Sequence, residues 1–163
     1  MAENGLTWRR CVLPDDVEAV AGIVDSTGFF TQQEIAVARE LVTERLLRGG
    51  ESGYFFLFAL AGGMPAGYTC YGPIPATRCG YDLYWLAVHR DFQARGIGSL
   101  LLGRTEKLVR DGGGCRLYAE TSTRSLYEPT RAFYRRQGFE LEAVLEDFYA
   151  PGDGKAVFVK RLS

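Results

Sequence analysis

The chain contains one glycine-bearing turn whose residue types suit the binding of an anion. The segment Gln93-x-x-Gly96-x-Gly98 follows an apolar run (83–88) and precedes a helix-like run (97–109). Gly96 permits backbone angles that other residues avoid, and Gly98 lets a ligand approach the main chain closely. Unpaired N–H groups and the positive end of the helix dipole favour a phosphate or pyrophosphate at such a helix start. A plain tight turn explains the same glycines equally well.

Length and composition predict an ordinary globular protein. The 163 residues are 47% hydrophobic and 24% charged, with a net charge of −1, so we expect a single domain spanning residues 1–163. The absence of a basic excess argues against nucleic acid as the main partner. No apolar stretch approaches the ~20 residues that span a bilayer. The first five residues do not resemble a signal peptide, and we therefore expect a cytoplasmic protein without a membrane partner.

The cysteines and the histidine do not have the spacing of a metal site. Cys11, Cys70, Cys79 and Cys115 form no CxxC pair, and His89 is the one histidine, so we expect no bound metal. In a reducing compartment the cysteines are expected to be small buried residues. Cys70 and Cys79 are alternatively expected to face each other across a hairpin.

The first half of the chain predicts a strand (6–13), two helices and a hairpin. Asp15 with Glu18, and Thr31 with Glu34, are typical capping boxes at the two helix starts. The second helix is expected to bury one face and to stop at 49–50; that face is formed by Ile35, Ala38, Val42 and Leu46. The apolar run 54–60 predicts a strand buried on both faces, which pairs with a strand at 65–71.

The second half predicts a strand (81–89), a helix (98–110) and a strand (115–120), which together form a parallel βαβ unit. Pro129 suits the start of a further helix (130–137) that stops at Gly138. Alternation predicts a half-exposed strand (139–146), and Asp153-Gly154 predicts a hairpin to a last strand (156–159). We therefore predict an α/β (α+β) fold with a mixed, mostly antiparallel sheet, one parallel βαβ pair and helices on both faces.

Two motifs in this order of elements resemble the GNAT superfamily of N-acetyltransferases. Gln93-x-x-Gly96-x-Gly98 is similar to the family's pyrophosphate loop, [Gln/Arg]-x-x-Gly-x-[Gly/Ala], and Phe133-Tyr134-x-x-x-Gly138-Phe139 is similar to its aromatic-Tyr-x-x-x-Gly-Phe segment. Each motif alone is weak, but the pair, about forty residues apart, is specific. The resemblance covers nearly the whole chain and is strongest to bacterial members. It implies the GNAT (acyl-CoA N-acyltransferase) fold.

The resemblance implies acetyl-coenzyme A as the cofactor. The main-chain N–H groups of the glycine turn are expected to hold the pyrophosphate. The strand that ends at Val88 is expected to pair with the pantetheine arm through the amides of Leu86 and Val88, which requires that strand and the next one to splay apart. The implied cofactor-binding residues are Leu86, Ala87, Val88, Gln93, Ala94, Arg95, Gly96, Ile97, Gly98, Ser99, Thr130 and Tyr134.

The resemblance also implies an acid and a base for acetyl transfer to an amine. By motif match, Tyr134 is the general acid, although a packed core tyrosine has the same pattern. Asp82 lies where several members have a catalytic glutamate, Glu120 is the second candidate for the base, and ordered water is an alternative to both. His89 has a suitable pKa but is better explained as a structural residue. The family's asparagine before the tyrosine helix is absent (125–130), and Thr130 or Tyr127 is the available substitute.

An aromatic, partly acidic acceptor pocket is expected, formed by Phe29, Phe30, Tyr71, Tyr84 and Tyr149. Such a pocket suits the primary amine of a small molecule, an amino acid or a peptide. The same aromatic residues are consistent with a homodimer surface or with core packing. The alternative functions are a non-catalytic module that senses coenzyme A or binds a protein, and a nucleotide-phosphate enzyme, although the turn lacks the Gly-Lys-[Ser/Thr] and Gly-x-Gly-x-x-Gly patterns.

Overall fold

The computed structural model describes residues 4–163, which form seven β-strands and four α-helices. Their order is the predicted one: β1 (Leu6–Arg9), α1 (Asp16–Ser26), α2 (Gln32–Arg48), β2 (Phe55–Ala61), β3 (Met64–Pro73), β4 (Gly80–Val88), α3 (Ile97–Asp111), β5 (Arg116–Ser122), α4 (Glu128–Arg136), β6 (Glu140–Ala150) and β7 (Asp153–Arg161). β1 is shorter than expected and β7 is longer.

The strands form one mixed sheet of seven strands in the order β1-β2-β3-β4-β5-β7-β6. β1–β2, β2–β3, β5–β7 and β6–β7 are antiparallel, whereas β4 and β5 are parallel and are joined through α3. The mixed sheet with one βαβ pair is therefore confirmed. No helix among residues 4–163 is long and apolar enough to cross a membrane.

The chain divides into two compact units, and β4 and α3 each run through both. The first unit comprises the chain up to Gly72 together with Trp85–Thr105. The second comprises Pro73–Tyr84 and Glu106–Ser163. The glycine turn lies in the first unit, whereas Asp82, Glu120 and Tyr134 lie in the second.

In the first unit, α1 and α2 cover the apolar strands β2 and β3. Val20, Val24, Ile35 and Val42 are buried against a group of strand aromatics formed by Phe56, Phe58 and Tyr68. The predicted capping box of α2 is confirmed, since Glu34 N–H donates to Thr31 Oγ1 at 3.2 Å and Thr31 N–H donates to Glu34 Oε2 at 2.7 Å. Leu46 was expected on the buried face, but this expectation is wrong because its side chain is 39% exposed near the end of the helix.

The predicted capping box of α1 is wrong. Asp15 occupies the cap position but makes no side-chain cap bond. Its neighbour Asp16 accepts the N–H of Leu13 at 2.7 Å and pairs in two-pronged fashion with Arg9 at 2.7 and 2.8 Å. The bidentate partner Arg9 on β1 holds the buried Asp16 instead, and no local pattern reveals this pair.

In the second unit, α4 ends in a Schellman motif. Gly138 has a φ of +89°, its N–H donates to Arg135 O at 3.1 Å, and the N–H of Phe139 donates to Tyr134 O at 3.0 Å. The ring of Phe139 contacts the ring of Tyr134, with centroids 5.3 Å apart. The Tyr-x-x-x-Gly-Phe segment is therefore a helix stop with its characteristic apolar contact.

β6 differs from the half-exposed strand that its alternation predicts, because all of its residues from Glu140 to Ala150 are exposed. β6 is an edge strand, and its register with β7 is interrupted at Leu141/Ala143 and at Leu145/Ala150. Asp147 in the second interruption has a φ of +53°. These bulges disturb the two-residue period that the prediction assumed.

The cysteines also differ from expectation. A disulfide joins Cys79 to Cys115, Cys70 is buried and free, and Cys11 is exposed. Cys70 and Cys79 therefore do not face each other as a pair. The residues before β4 and before β5 are brought together by the parallel pairing, and this contact is not visible as a local spacing.

We predict opposite stability effects for two glycine-to-alanine changes. Gly138→Ala places a side chain at φ +89° and should lower the free energy of unfolding by about 1–2 kcal/mol. Gly22→Ala lies inside α1, where an added Cβ meets nothing within 4 Å, and should raise it by about 0.5–1 kcal/mol. Urea unfolding measures both values, and equal stability of wild type and Gly138→Ala would contradict the role of the helix stop.

Candidate functional site

The turn after β4 is tied to the end of that strand by side-chain hydrogen bonds. Gln93 Nε2 donates to Val88 O at 3.0 Å, and His89 Nδ1 accepts the N–H of Asp91 at 3.2 Å. His89 N–H donates to Ala66 O at 2.8 Å. His89 thus has the structural contacts expected of a turn residue, and Gln93 fixes where the loop leaves the strand.

Two residues of the loop, separated by Arg95, have left-handed backbone conformations. Ala94 has a φ of +61° and Gly96 a φ of +78°, and Leu100 N–H donates to Gly96 O at 3.1 Å as α3 begins. The positive φ of Gly96 is a backbone angle that other residues avoid, as the sequence analysis expected of this glycine. Main-chain N–H groups in such a turn form a concave site for anions, which the helix start reinforces. The Arg95 guanidinium lies 5.4 Å from the centre of the Phe92 ring.

The direction of the β4 amides follows from its contact with β3. Because His89 N–H faces Ala66 on β3, alternation directs the backbone groups of Ala87 to the same edge. The amides of Leu86 and Val88 therefore face the opposite edge. The side chain of Ala87 is buried in the apolar core of the first unit, so this residue serves packing.

The register of β4 with β5 is short. It joins Gly80–Leu83 to Arg116–Ala119, and among residues 4–163 it ends at the pair Leu83↔Ala119, whereas β4 continues to Val88. The amides of Leu86 and Val88 thus lie on β4 beyond the last residue that is paired in this ladder.

Two carboxylates and one ammonium group lie on one face of the second unit. Asp82 is opposite Tyr118 in the register, and Glu120 lies two residues further along β5, so both side chains share a face. Lys155 is opposite Ser122 and also points to this face. Its Nζ lies 2.8 Å from Glu120 Oε2.

This arrangement changes the proton affinity of Asp82. Partial burial raises the pKa of Asp82, the negative charge of Glu120 raises it further, and the positive charge of Lys155 lowers it. Burial and a like charge both disfavour the charged carboxylate. Asp82 is therefore a stronger base than an ordinary surface aspartate.

Tyr134 lies on the other face of the second unit. Its ring stacks on Phe158 at 5.9 Å, and Phe158 is opposite Ala119, whose side chain points away from Glu120. The side chain is buried, and burial raises the pKa of Tyr134. The hydroxyl consequently stays protonated at neutral pH.

Arg131 organises the segment where the family asparagine is absent. Arg131 Nη1 donates to Ser122 O at 2.6 Å and to Arg124 O at 3.0 Å, and its Nη2 lies 2.7 Å from Glu128 Oε2. Tyr127 is buried and Thr130 is half-buried in the same segment. A guanidinium on α4 thus satisfies the carbonyls that end β5.

The five aromatic residues expected at an acceptor pocket have different neighbours. Phe30 contacts Trp85 at 5.0 Å in the first unit, where Phe29 is half-buried, and the buried Tyr71 packs on Phe55 at 6.0 Å. Tyr84 and Tyr149 are exposed residues of the second unit.

Lys155 and Arg131 were not identified from the sequence. Lys155 precedes the apolar run of β7, and its pairing with Glu120 depends on the register between β7 and β5. Arg131 lies on the predicted helix, close to the segment that lacks the family's asparagine. Its carbonyl partners are brought to it by the turn between β5 and α4, which the sequence does not show. Neither residue has a local signal beyond its charge.

Solved structures of acetyltransferases share this fold. A crystal structure from Desulfovibrio desulfuricans, assigned to the GNAT family, is 49% identical, with a TM-score of 0.95, over 97% of this chain and 99% of that chain. The ribosomal-protein-S18-alanine N-acetyltransferase from Escherichia coli shares the fold at 17% identity and a TM-score of 0.75, over 97% of this chain and 94% of that chain. The PaiA N-acetyltransferase from Thermoplasma acidophilum in complex with coenzyme A shares it at 18% identity and a TM-score of 0.71, over 96% of this chain and 98% of that chain. No curated protein matches the chain significantly.

Residues 23–139 match the model of the acetyltransferase (GNAT) family. The chain belongs to this family, as its two motifs indicated. It is an acyltransferase, and its cofactor is acetyl-coenzyme A.

We predict that the pKa of Asp82 responds in opposite directions to two changes. Glu120→Gln removes a negative charge that raises it, and should lower the pKa of Asp82. Lys155→Met removes a positive charge that lowers it, and should raise the pKa. A carbon-13 NMR titration of the Asp82 carboxyl group measures both shifts. Arg116→Gln, on the same strand as Glu120, is the control, and shifts of the same sign in the first two variants would refute the cluster.

Proposed function

We propose that the protein transfers the acetyl group of acetyl-coenzyme A to a primary amine by direct attack. The acceptor is the amine of a small molecule, an amino acid or a peptide. The observation that supports this most is the carboxylate cluster on one face of the second unit, where burial and the charge of Glu120 raise the pKa of Asp82. The acceptor named for the Escherichia coli neighbour is the alanine of a ribosomal protein, which agrees with an amine acceptor.

The main-chain N–H groups of the first unit are hydrogen-bond donors of the kind that coenzyme A requires. A pyrophosphate needs several N–H groups in a concave arrangement, which the turn from Ala94 to Ser99 offers through its positive φ values and the start of α3. An extended pantetheine arm needs strand amides that face away from a neighbouring strand, and Leu86 and Val88 have that direction. Thr130 is the polar residue that we propose in place of the absent asparagine.

Acetyl-coenzyme A supplies the acetyl group as a thioester when it is bound. Asp82 would accept, directly or through a water molecule, the proton that the ammonium form of the acceptor must lose before its nitrogen can attack. The Val88 N–H would be a hydrogen-bond donor to the carbonyl oxygen of the thioester. Formation of the C–N bond would release a second proton from the nitrogen to water, and Tyr134 would donate its hydroxyl proton to the thiolate that leaves as the C–S bond breaks. Glu120 and Lys155 act through Asp82 as positioning residues.

The activity test is thiol release from acetyl-coenzyme A in the presence of a panel of small amines, amino acids and peptides. A disulfide reagent reports the released thiol. Because Cys11 is exposed and free, a Cys11→Ser background removes its reaction with the reagent. Binding of acetyl-coenzyme A without turnover on any amine would favour a non-catalytic sensor.

Tyr134→Phe should lower kcat by about 10²–10⁴-fold, the usual range for loss of a general acid. The KM for acetyl-coenzyme A should change little, since the ring still packs on Phe139 and Phe158. Steady-state kinetics measure both. Tyr81→Phe, which removes a hydroxyl that donates to Gly112 O at 3.3 Å, is the control and should retain activity. Full activity of Tyr134→Phe would remove the acid from the mechanism.

We make a separate prediction about the contribution of the glycine turn to the affinity for coenzyme A. Gly96→Ala forces a side chain into φ +78° and should weaken binding roughly 5- to 30-fold, which corresponds to about 1–2 kcal/mol. Ala94→Gly removes a strained side chain at φ +61° and should bind within about threefold of wild type. Calorimetry measures both affinities. Equal affinity of Gly96→Ala and wild type would exclude the turn as the pyrophosphate site.

A further inference from the structure

A basic cleft lies in the first unit, and none of its residues belongs to the turn or to the β4 amides. Its volume is about 240 Å³. It lies where the end of β1, the last turns of α2, the start of β2 and the end of β3 meet. The residues that line the cleft are Arg10, Cys11, Arg45, Phe55, Phe56 and Tyr71.

Among residues 4–163, no carboxylate forms an ion pair with either of the two arginines that line the cleft. Within residues 4–163, Arg10 is exposed and makes no ion pair. Arg45 lies over the Phe55 ring at 4.9 Å and has a long bond of 3.4 Å to Tyr54 O. The neighbouring Arg9 is different, because the buried Asp16 pairs with it at 2.7 Å. The cleft is therefore attractive to an anion.

The walls of the cleft are aromatic and flat. The rings of Phe55 and Tyr71 lie 6.0 Å apart at an angle of 30°, and Phe56 and Tyr71 are 2% and 3% exposed. Stacking on Phe55 also orients the Arg45 guanidinium before any ligand arrives. A guanidinium presents its N–H groups as a planar fork that matches a carboxylate. Charge and flat walls together select a planar, negatively charged ligand.

We propose that this cleft is a binding site for a small flat organic carboxylate, such as an aromatic acid. Its volume of about 240 Å³ is below the ~300–1,000 Å³ of drug-sized pockets, and it suits a single ring with one acidic group. Arg45 and Arg10 bind the carboxylate, while the half-buried Phe55 contacts the ring. The site is separate from the residues proposed to bind coenzyme A.

Calorimetric titration with benzoate tests the site on the full chain. We expect a Kd on the order of 1 mM or tighter, as is usual for a ligand of this size. Benzamide, which is flat but uncharged, should bind at least about tenfold more weakly. Failure of benzoate to bind, or equal binding of the two probes, would overturn the proposal.

Variants locate the binding. Arg45→Gln and Arg10→Gln should each weaken benzoate binding by about tenfold or more. Arg48→Gln is the matched control, since Arg48 lies on the same helix but pairs with Glu44 at 3.6 Å. Arg10 is exposed, so its variant should fold even if Arg45→Gln does not. Unchanged binding by Arg10→Gln, or loss in Arg48→Gln, would refute this location.

Cys11 provides an independent readout because it lines the cleft. Cys70 is buried with a raised pKa, and Cys79 and Cys115 form a disulfide, so maleimide should label Cys11 first. Benzoate should slow this labelling in wild type and not in Arg45→Gln. Saturation of the protein with coenzyme A should leave the affinity for benzoate unchanged. Displacement of benzoate by coenzyme A, or an equal rate of Cys11 labelling with and without benzoate, would contradict a separate site.

Discussion

The short parallel ladder between β4 and β5 is the contact on which the chemistry of the second unit depends. It starts where Cys115 N–H donates to Cys79 O at 2.9 Å beside the disulfide, and it ends at Leu83↔Ala119. Within it the register places Asp82 opposite Tyr118, and hence on the face of Glu120. A slip of one residue would move one carboxylate to the opposite face. The part of the raised pKa of Asp82 that comes from the charge of Glu120 is thus a consequence of strand register, and it adds to the larger effect of burial.

The end of α4 shows how one short motif serves structure and chemistry together. Gly138 and Phe139 close the helix through the carbonyls of Arg135 and Tyr134, and the Phe139 ring holds the Tyr134 ring. Lys160 adds a bond from its Nζ to Gln137 O at 2.7 Å and pairs with Glu106 at 2.9 Å. None of these contacts uses the hydroxyl of Tyr134. Its hydroxyl is therefore available for a role other than packing.

The element order and the two motifs could be predicted because both depend on local patterns. Apolar runs, capping residues and glycine stops act over a few residues, as Thr31 with Glu34 and Gly138 show. The failures involve contacts that no local pattern shows: Asp15 makes no cap bond while its neighbour Asp16 pairs with Arg9, Cys79 meets Cys115 through parallel pairing, and bulges break the alternation of β6. Asp82 and Glu120 could be proposed from the family's pattern. Lys155 could not, because its position depends on how β7 pairs with β5.

The placement of Asp82 and Tyr134 on opposite faces of the sheet has a consequence for proton transfer. An acid and a base in direct contact titrate as a coupled pair, so the pKa of each depends on the protonation of the other. Here the pKa of Asp82 is set by its partial burial and by the charges of Glu120 and Lys155 on its own face, while the pKa of Tyr134 is raised by burial against Phe139 and Phe158 on the other. In the proposed mechanism, the proton that Asp82 takes from the amine and the proton that Tyr134 gives to sulfur are therefore different protons. Water returns a proton to Tyr134 after the thiol departs, and because different neighbours set the two pKa values, the proton affinity of each group is tuned independently.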